Sequence, residues 1–229
     1  MKDEAELDAL REKWLSQPDG KSGHAYGQAL EELGLVADAA AVYEEMMEGF
    51  LLGFEDLAWL ERGRGNIDRA CELLERYLEL DEEPDEETLH IRGVLGHWRW
   101  HFQMQVDAEQ LLRDGADYYV SARADLAGLL KATGRIDEAE RVLRRGVDLG
   151  EVESFLPLGN LLRDTDRSEE AEKLYRLGFA LGDAHSAYNL HSQLHEQGRD
   201  DEAQEWLWLA AEGGDEKAIA LLADGDPPD

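Results

Sequence analysis

Histidine is the first residue type in this chain worth testing for chemistry. Two pairs stand four residues apart, His97 with His101 and His191 with His195. On a helix that spacing brings both imidazoles to one face, the arrangement a metal site uses. A zinc-protease helix also needs a glutamate directly after the first histidine. Trp98 and Ser192 occupy those positions, and no third ligand is signposted. No metal or other cofactor is therefore expected. A metal-dependent enzyme or sensor built on His97 and His101 is the least favoured of the readings, and His191 is expected to be a hydrogen-bonded interior residue. Cys71 is the only cysteine, which excludes an intrachain disulfide and a cysteine metal cage. It follows Ala70 within a helical pattern and reads as a buried structural thiol. The acidic run 79–87 lacks the alternating carboxylates and central glycine of a calcium loop. It reads as a solvated connection, with Pro84 as a break and Asp85 as a helix cap. Phosphate-binding glycine loops and the Gly-x-Ser-x-Gly elbow are missing. With no convergent catalytic set, the chain is expected not to be an enzyme.

The elements that position these residues are repeats. Gly134-Arg-Ile-Asp-Glu-Ala139, Asp166-Arg-Ser-Glu-Glu-Ala171 and Gly198-Arg-Asp-Asp-Glu-Ala203 place their alanines 32 residues apart. Gly65-Asn-Ile-Asp-Arg-Ala70 and Gly34-Leu-Val-Ala-Asp-Ala39 carry the series backwards. A second glycine keeps the same beat at Gly150, Gly182 and Gly214. The first glycine of each unit suits a left-handed helix terminus. The Asp or Ser that follows can cap the next helix and complement its dipole. The anchor alanine allows close helix approach. One turn on stands a large residue: Tyr43, Leu74, Leu143, Tyr175 or Leu207. Each unit is thus a helix hairpin that must stack on neighbours to bury its apolar face.

The whole chain is read as one helical repeat domain, residues 1–229. An N-terminal helix lies within 1–18 and is broken off by Gln17-Pro18-Asp19. About six hairpins fill 19–223, and a frayed acidic tail occupies 224–229. The third unit, 84–118, is irregular because its anchor spacing stretches to 38 residues, from Ala70 to Ala108.

Alanine followed by an aromatic or leucine four residues on, after Gly-Arg-x-Asp-Glu, resembles the tetratricopeptide repeat. The stretch from Gly182 through Leu190, with Ala203 and Trp206 to Gly213, is similar to the related Sel-one-like repeats. The resemblance implies a right-handed α-solenoid of about six stacked hairpins of roughly 32 residues. It also implies a binding scaffold whose first helices line a concave groove. Positions 18, 15, 11, 8 and 7 residues before each anchor alanine then face that groove. Leu52, Glu55, Trp59, Arg62 and Gly63 fall there in the second unit, and His90, Gly93, His97, Trp100 and His101 in the third. Among the groove positions of the later units, Lys131, Asn160, Arg163, Tyr188 and His195 are the candidate partner contacts. Trp98 reads as core. Trp100 reads either as a plug at an irregular junction or as a groove anchor.

The 229 residues carry 53 acidic and 23 basic side chains, a formal charge of −30. Such a chain repels phosphate backbones and anionic lipid, so neither nucleic acid nor membrane is expected as partner. The charge is uneven. Residues 29–88 carry net −15 and 147–229 net −14, while 89–146 are near neutral at +1. Aromatics and arginine between acidic flanks have the composition of a binding hot spot. The leading expectation is a protein–protein interaction scaffold that holds a basic or neutral peptide or protein in its groove. The alternative is an inhibitor or immunity-type protein that uses its acidity to occupy a basic partner's site. Oligomeric state is left open by the sequence. Met-Lys-Asp-Glu-Ala-Glu at the start lacks the apolar core of a secretory signal, and no segment has the length of a membrane span, so a cytoplasmic, soluble protein is expected.

Overall fold

A computed structural model describes residues 4–83 and 85–224. Pro84 and the tail beyond Asp224 lie outside the described residues, and with them the expected break and frayed end. The described chain is an all-α helical repeat and falls into two compact units, Met1–Tyr119 and Val120–Asp229. No described helix is long and apolar enough to cross a membrane.

The first unit opens with α1 (Glu4–Ser16). Three hairpins follow: α2 (Gly20–Glu32) with α3 (Val36–Met46), α4 (Leu52–Gly63) with α5 (Ile67–Leu80), and α6 (Glu86–Gln103) with α7 (Glu109–Gly115). The second unit holds three more: α8 (Ala122–Ala132) with α9 (Ile136–Leu149), α10 (Val152–Asp164) with α11 (Ser168–Ala180), and α12 (Ala184–Glu196) with α13 (Asp200–Glu212). A last helix, α14 (Glu216–Asp224), packs on α13.

The anchor positions do what their size suggests. Ala39, Ala70, Ala108, Ala139, Ala171 and Ala203 are all buried, as are Tyr43, Leu74, Leu112, Leu143, Tyr175 and Leu207 one turn later. A small residue and a large one thus recur one turn apart on the buried face of the second helix of each hairpin. Gly34, Gly65, Gly134 and Gly198 take φ values of 73–83° at the hairpin turns. In the fifth hairpin Asp166 stands in the glycine's place and adopts φ 61°, a conformation that a Cβ disfavours.

The caps differ from expectation. Asp19 and Asp85 form capping boxes with Ser22 and Thr88, and Asp183 accepts from the His185 amide. In the repeated Gly-Arg-x-Asp-Glu-Ala turns, however, the arginine itself occupies the cap position, and no side-chain cap bond forms. Asp137, Ser168 and Asp200 already lie within the first helical turn. Their geometry therefore cannot close a cap; the two acids act only on the helix dipole.

The freed arginines form a ladder in the second unit. Arg167 reaches Glu140 of the preceding hairpin at 2.8 Å and Glu170 of its own at 2.8 Å. One repeat later Arg199 reaches Glu172 at 2.7 Å and Glu202 at 2.6 Å. Arg144 and Arg176 close the same pattern from the other side, on Glu140 and Glu172. The contacts recur with the 32-residue period because the side chains do.

The third hairpin is the irregular one. Its first helix has 18 residues, and a short 3-10 turn, Val106–Ala108, leads into a second helix of only 7. This accounts for the stretched anchor spacing. Gly93 and Gly115 lie so close that a Cβ built on Gly115 would stand 2.1 Å from the Gly93 Cα. Two helices meet backbone to backbone there, which only glycine permits.

Candidate functional site

Seven-residue and four-residue steps on α6 set His90, His97 and His101 on one face. Glu55, Trp59 and Arg62 stand at four- and three-residue steps on α4 and also share a face. The structure brings these two faces together into a valley. The Trp59 ring meets Trp98 edge-on at 4.9 Å between centroids. The Arg62 guanidinium lies 5.6 Å from the Trp59 ring and 5.6 Å from the Phe102 ring. The His97 and His101 rings stack at 5.3 Å, and both meet Phe102. Tyr119 closes the far side against His90 and His97, each at 5.5 Å. The His90 Nδ1–H donates to the Tyr118 carbonyl at 3.1 Å.

Burial grades across this valley. Trp98 is fully buried, as expected of a core residue, and its indole Nε1 has no hydrogen-bond partner. Trp59, Arg62, His90 and His97 are half-buried, while His101 and Phe102 are exposed. Glu55 is half-buried, and its carboxyl is held above the usual carboxylate range. Burial is the chief cause, the Glu87 and Asp56 carboxylates add to it, and His90 and Trp59 oppose it. At the other end of α4 the Arg62 Nε is buried without a hydrogen-bond partner.

Trp100 is not part of this set. It stands seven residues after Gly93 and four after Gly96, on the side of α6 that receives α7. It is half-buried and makes no ring contact among the described residues. The geometry thus separates Trp100 from His97 and His101.

The remaining candidates lie in the second unit, and most are held by neighbours. Lys131 Nζ pairs with Asp164 at 2.6 Å. Asn160 accepts from the Tyr175 hydroxyl at 2.7 Å, binding the first helix of its hairpin to the large residue one turn after the anchor of the second. Tyr188 has Lys217 Nζ 5.8 Å from its ring centre and His191 beside it. His195 pairs with Asp200 at 2.7 Å. His191 Nδ1–H donates to the Ala203 carbonyl at 2.9 Å, the expected interior bond. Arg163 is half-buried at the end of α10. These residues are spread along three helices and share no common aromatic floor.

Two members of the valley were not legible in the repeat pattern. Phe102 lies beyond the groove positions because α6 overruns the normal helix length. Tyr119 arrives from the segment after α7, which no spacing rule places. The length of the third unit was the one available signal that something extra is built there.

Neither histidine pair gathers further ligands: no group of three or more His, Cys, Asp or Glu stands together for a metal ion among the described residues. Cys71 is buried, and burial pushes its thiol up to about 11, so it stays protonated at neutral pH.

Residues 55–76 and 120–145 match the family model of the tetratricopeptide repeat. These segments lie across α4–α5 and α8–α9, where the hairpins are regular. No curated protein matches the chain. Among solved structures, Pseudomonas aeruginosa PilF superposes with a TM-score of 0.68 at 14% identity, over 96% of this chain and 99% of that one. MamA aligns with a TM-score of 0.54 at 20% identity, over 71% of this chain and 97% of its own. YrrB, described as a TPR protein with an unusual peptide-binding site, gives 0.54 at 19% identity, over 79% and 95%. The chain therefore matches the tetratricopeptide repeat over these two segments and shares the fold of these proteins.

Proposed function

We propose that the protein is an interaction scaffold without catalytic chemistry of its own, and that it holds a peptide or protein segment in the α4–α6 valley. The observation that carries this reading is the aromatic and imidazole lining around Arg62. Large rings that are half in solvent, set beside an arginine whose Nε lacks a partner, are the groups that dominate binding energy in interfaces. The peptide-binding site named for YrrB, a protein of the same fold, is consistent with it. The strongly acidic remainder of the chain favours a partner that is basic or neutral overall and speeds its approach.

Selection of a random dodecapeptide library on the full chain tests this. Binders are expected, and Trp59→Ala and His101→Ala should each weaken them by roughly tenfold, the scale of one interface anchor. Circular dichroism of both variants controls for folding. Binders indifferent to both substitutions would move the site elsewhere. If no peptide is retained, the reading fails. Salt dependence separates the inhibitor-type alternative: affinity that collapses at high salt, with no effect of Trp59→Ala, would favour charge mimicry over the valley.

A further inference from the structure

The valley has two unlike ends, and this bears on what kind of segment fits. Glu55 and Arg62 stand seven residues apart on α4, two helical turns along one face, with Trp59 between them. Seven residues of helix rise span about 10 Å. At one end Glu55 is crowded by Glu87 and Asp56 and lacks a lysine or arginine among the described residues; the His90 ring and a hydrogen bond from the Trp59 side chain oppose that crowding. At the other end Arg62 is sandwiched by Trp59 and Phe102, with a buried Nε that donates to nothing and no carboxylate set against it among the described residues. In a chain with 53 acidic and 23 basic residues, an arginine without a carboxylate is unusual company for so many available acids. The contrast is plain in the second unit, where the ladder arginines each hold two glutamates.

Resting on the peptide-scaffold reading, we infer that the valley recognises an extended segment carrying a Lys or Arg and an Asp or Glu three residues apart, the cation against Glu55 and the carboxylate against Arg62. In the polyproline II form of an extended segment, residues three apart return to one side after about 9 Å, which matches the separation of the two poles on α4. The segment's cation answers the excess carboxylate around Glu55. Its carboxylate pairs with the half-buried Arg62 guanidinium, where a charge-assisted bond is stronger than a neutral one. Trp59, between the poles, receives the intervening residues. The requirement fixes the direction in which the segment lies, because reversing its two charges puts like against like at both ends.

The dodecapeptide library selected on the full chain provides the test, with Glu55→Gln, Arg62→Gln and the exchanged pair Glu55→Arg/Arg62→Glu run beside it. On the wild-type chain, binders should be enriched in opposite charges three positions apart and in one order. Each single variant should lose that enrichment at its own pole and bind the selected peptides about tenfold more weakly, the scale of one charge-assisted contact. The exchanged pair should select the opposite order, which a merely structural role for either residue does not produce. Binders that depend on Trp59 but show no paired charges would overturn this inference and leave the scaffold reading intact. Paired charges whose order is unchanged on the exchanged variant would overturn it as well. Absence of any Trp59-dependent binder would remove both.

Discussion

The two compact units solve the same packing problem with different side chains. In the second, the position four residues before each anchor alanine is arginine: Arg135, Arg167 and Arg199. In the first, the same position holds Leu35, Asn66 and Met104. The second unit therefore has its ladder of guanidinium–carboxylate contacts at a strict 32-residue period, and the first cannot form one. The first instead spends its irregularity on a long α6, a glycine-to-glycine helix contact and a row of rings. Regular repetition in one half and departure from it in the other separate a supporting surface from a recognising one. Ion pairs satisfied within the fold leave nothing over for a partner, whereas the Arg62 Nε lacks a hydrogen-bond partner and Glu55 sits among other carboxylates.

The largest effect should come from the first unit's tightest point. Gly115→Ala places a methyl against the Gly93 backbone, where nothing flexible can yield. A loss of about 3 kcal/mol is expected from overpacking of this kind, read as a lower urea midpoint. An alanine tolerated without loss would mean that α6 and α7 do not depend on backbone contact.

Acidification should act in opposite directions on the Glu55–Asp56 turn of α4 and on the ladder of the second unit. Glu170 is held down to about 2, with Arg167 the main cause and Arg144 second. A depressed carboxylate contributes stability above its unfolded value of 4.5 and loses it as pH falls towards 2. Glu140, Glu172 and Glu202 are lowered as well, so the whole ladder weakens over that window. Glu55 and Asp56 are raised, in both cases mainly by burial. Their contribution is complete below their unfolded values and is lost as pH rises through the higher folded ones. Bringing the pH down from neutral should therefore relieve this turn of α4 before it harms the ladder. Hydrogen exchange followed peptide by peptide, corrected for the intrinsic rate at each pH, should show protection in 52–58, around Glu55 and Asp56, holding or rising while that in 168–212 falls; Glu61, farther along α4, is lowered and sides with the ladder. A parallel fall in both would contradict the assignment of opposite shifts.

The smallest effect sharpens the comparison within the second unit. Asp166 stands where the other turns place glycine, at φ 61°. Asp166→Gly should relieve the left-handed strain and raise stability by about 0.5–1 kcal/mol, visible as a small increase in melting temperature. No gain would imply that the aspartate compensates locally for its conformation.

Much of this architecture follows from the chain's own order of residues. Alanine and a large apolar residue four positions on determine a helix face; glycine at a fixed offset determines where that helix must turn; repetition every 32 residues compels stacking, because no single hairpin covers its apolar side. The capping expectation failed on a displacement of one or two residues, since arginine in the cap position carries the following Asp or Ser into the first turn. Helical spacing put His90, His97 and His101 on one face, and the resemblance to the tetratricopeptide repeat set Trp59 and Arg62 on the same groove. It did not exclude Trp100, whose side of the helix is set by the packing of α7 against Gly93 and Gly96. Nor did it supply Phe102 and Tyr119, which reach the valley only through the overrun of α6 and the path of the chain after α7. Local periodicity specifies which residues share a helix face, because that is a matter of backbone geometry within a few turns. Which faces meet, and which charged group is left without a partner when they do, depends on contacts between residues far apart in sequence, and those only the tertiary structure decided.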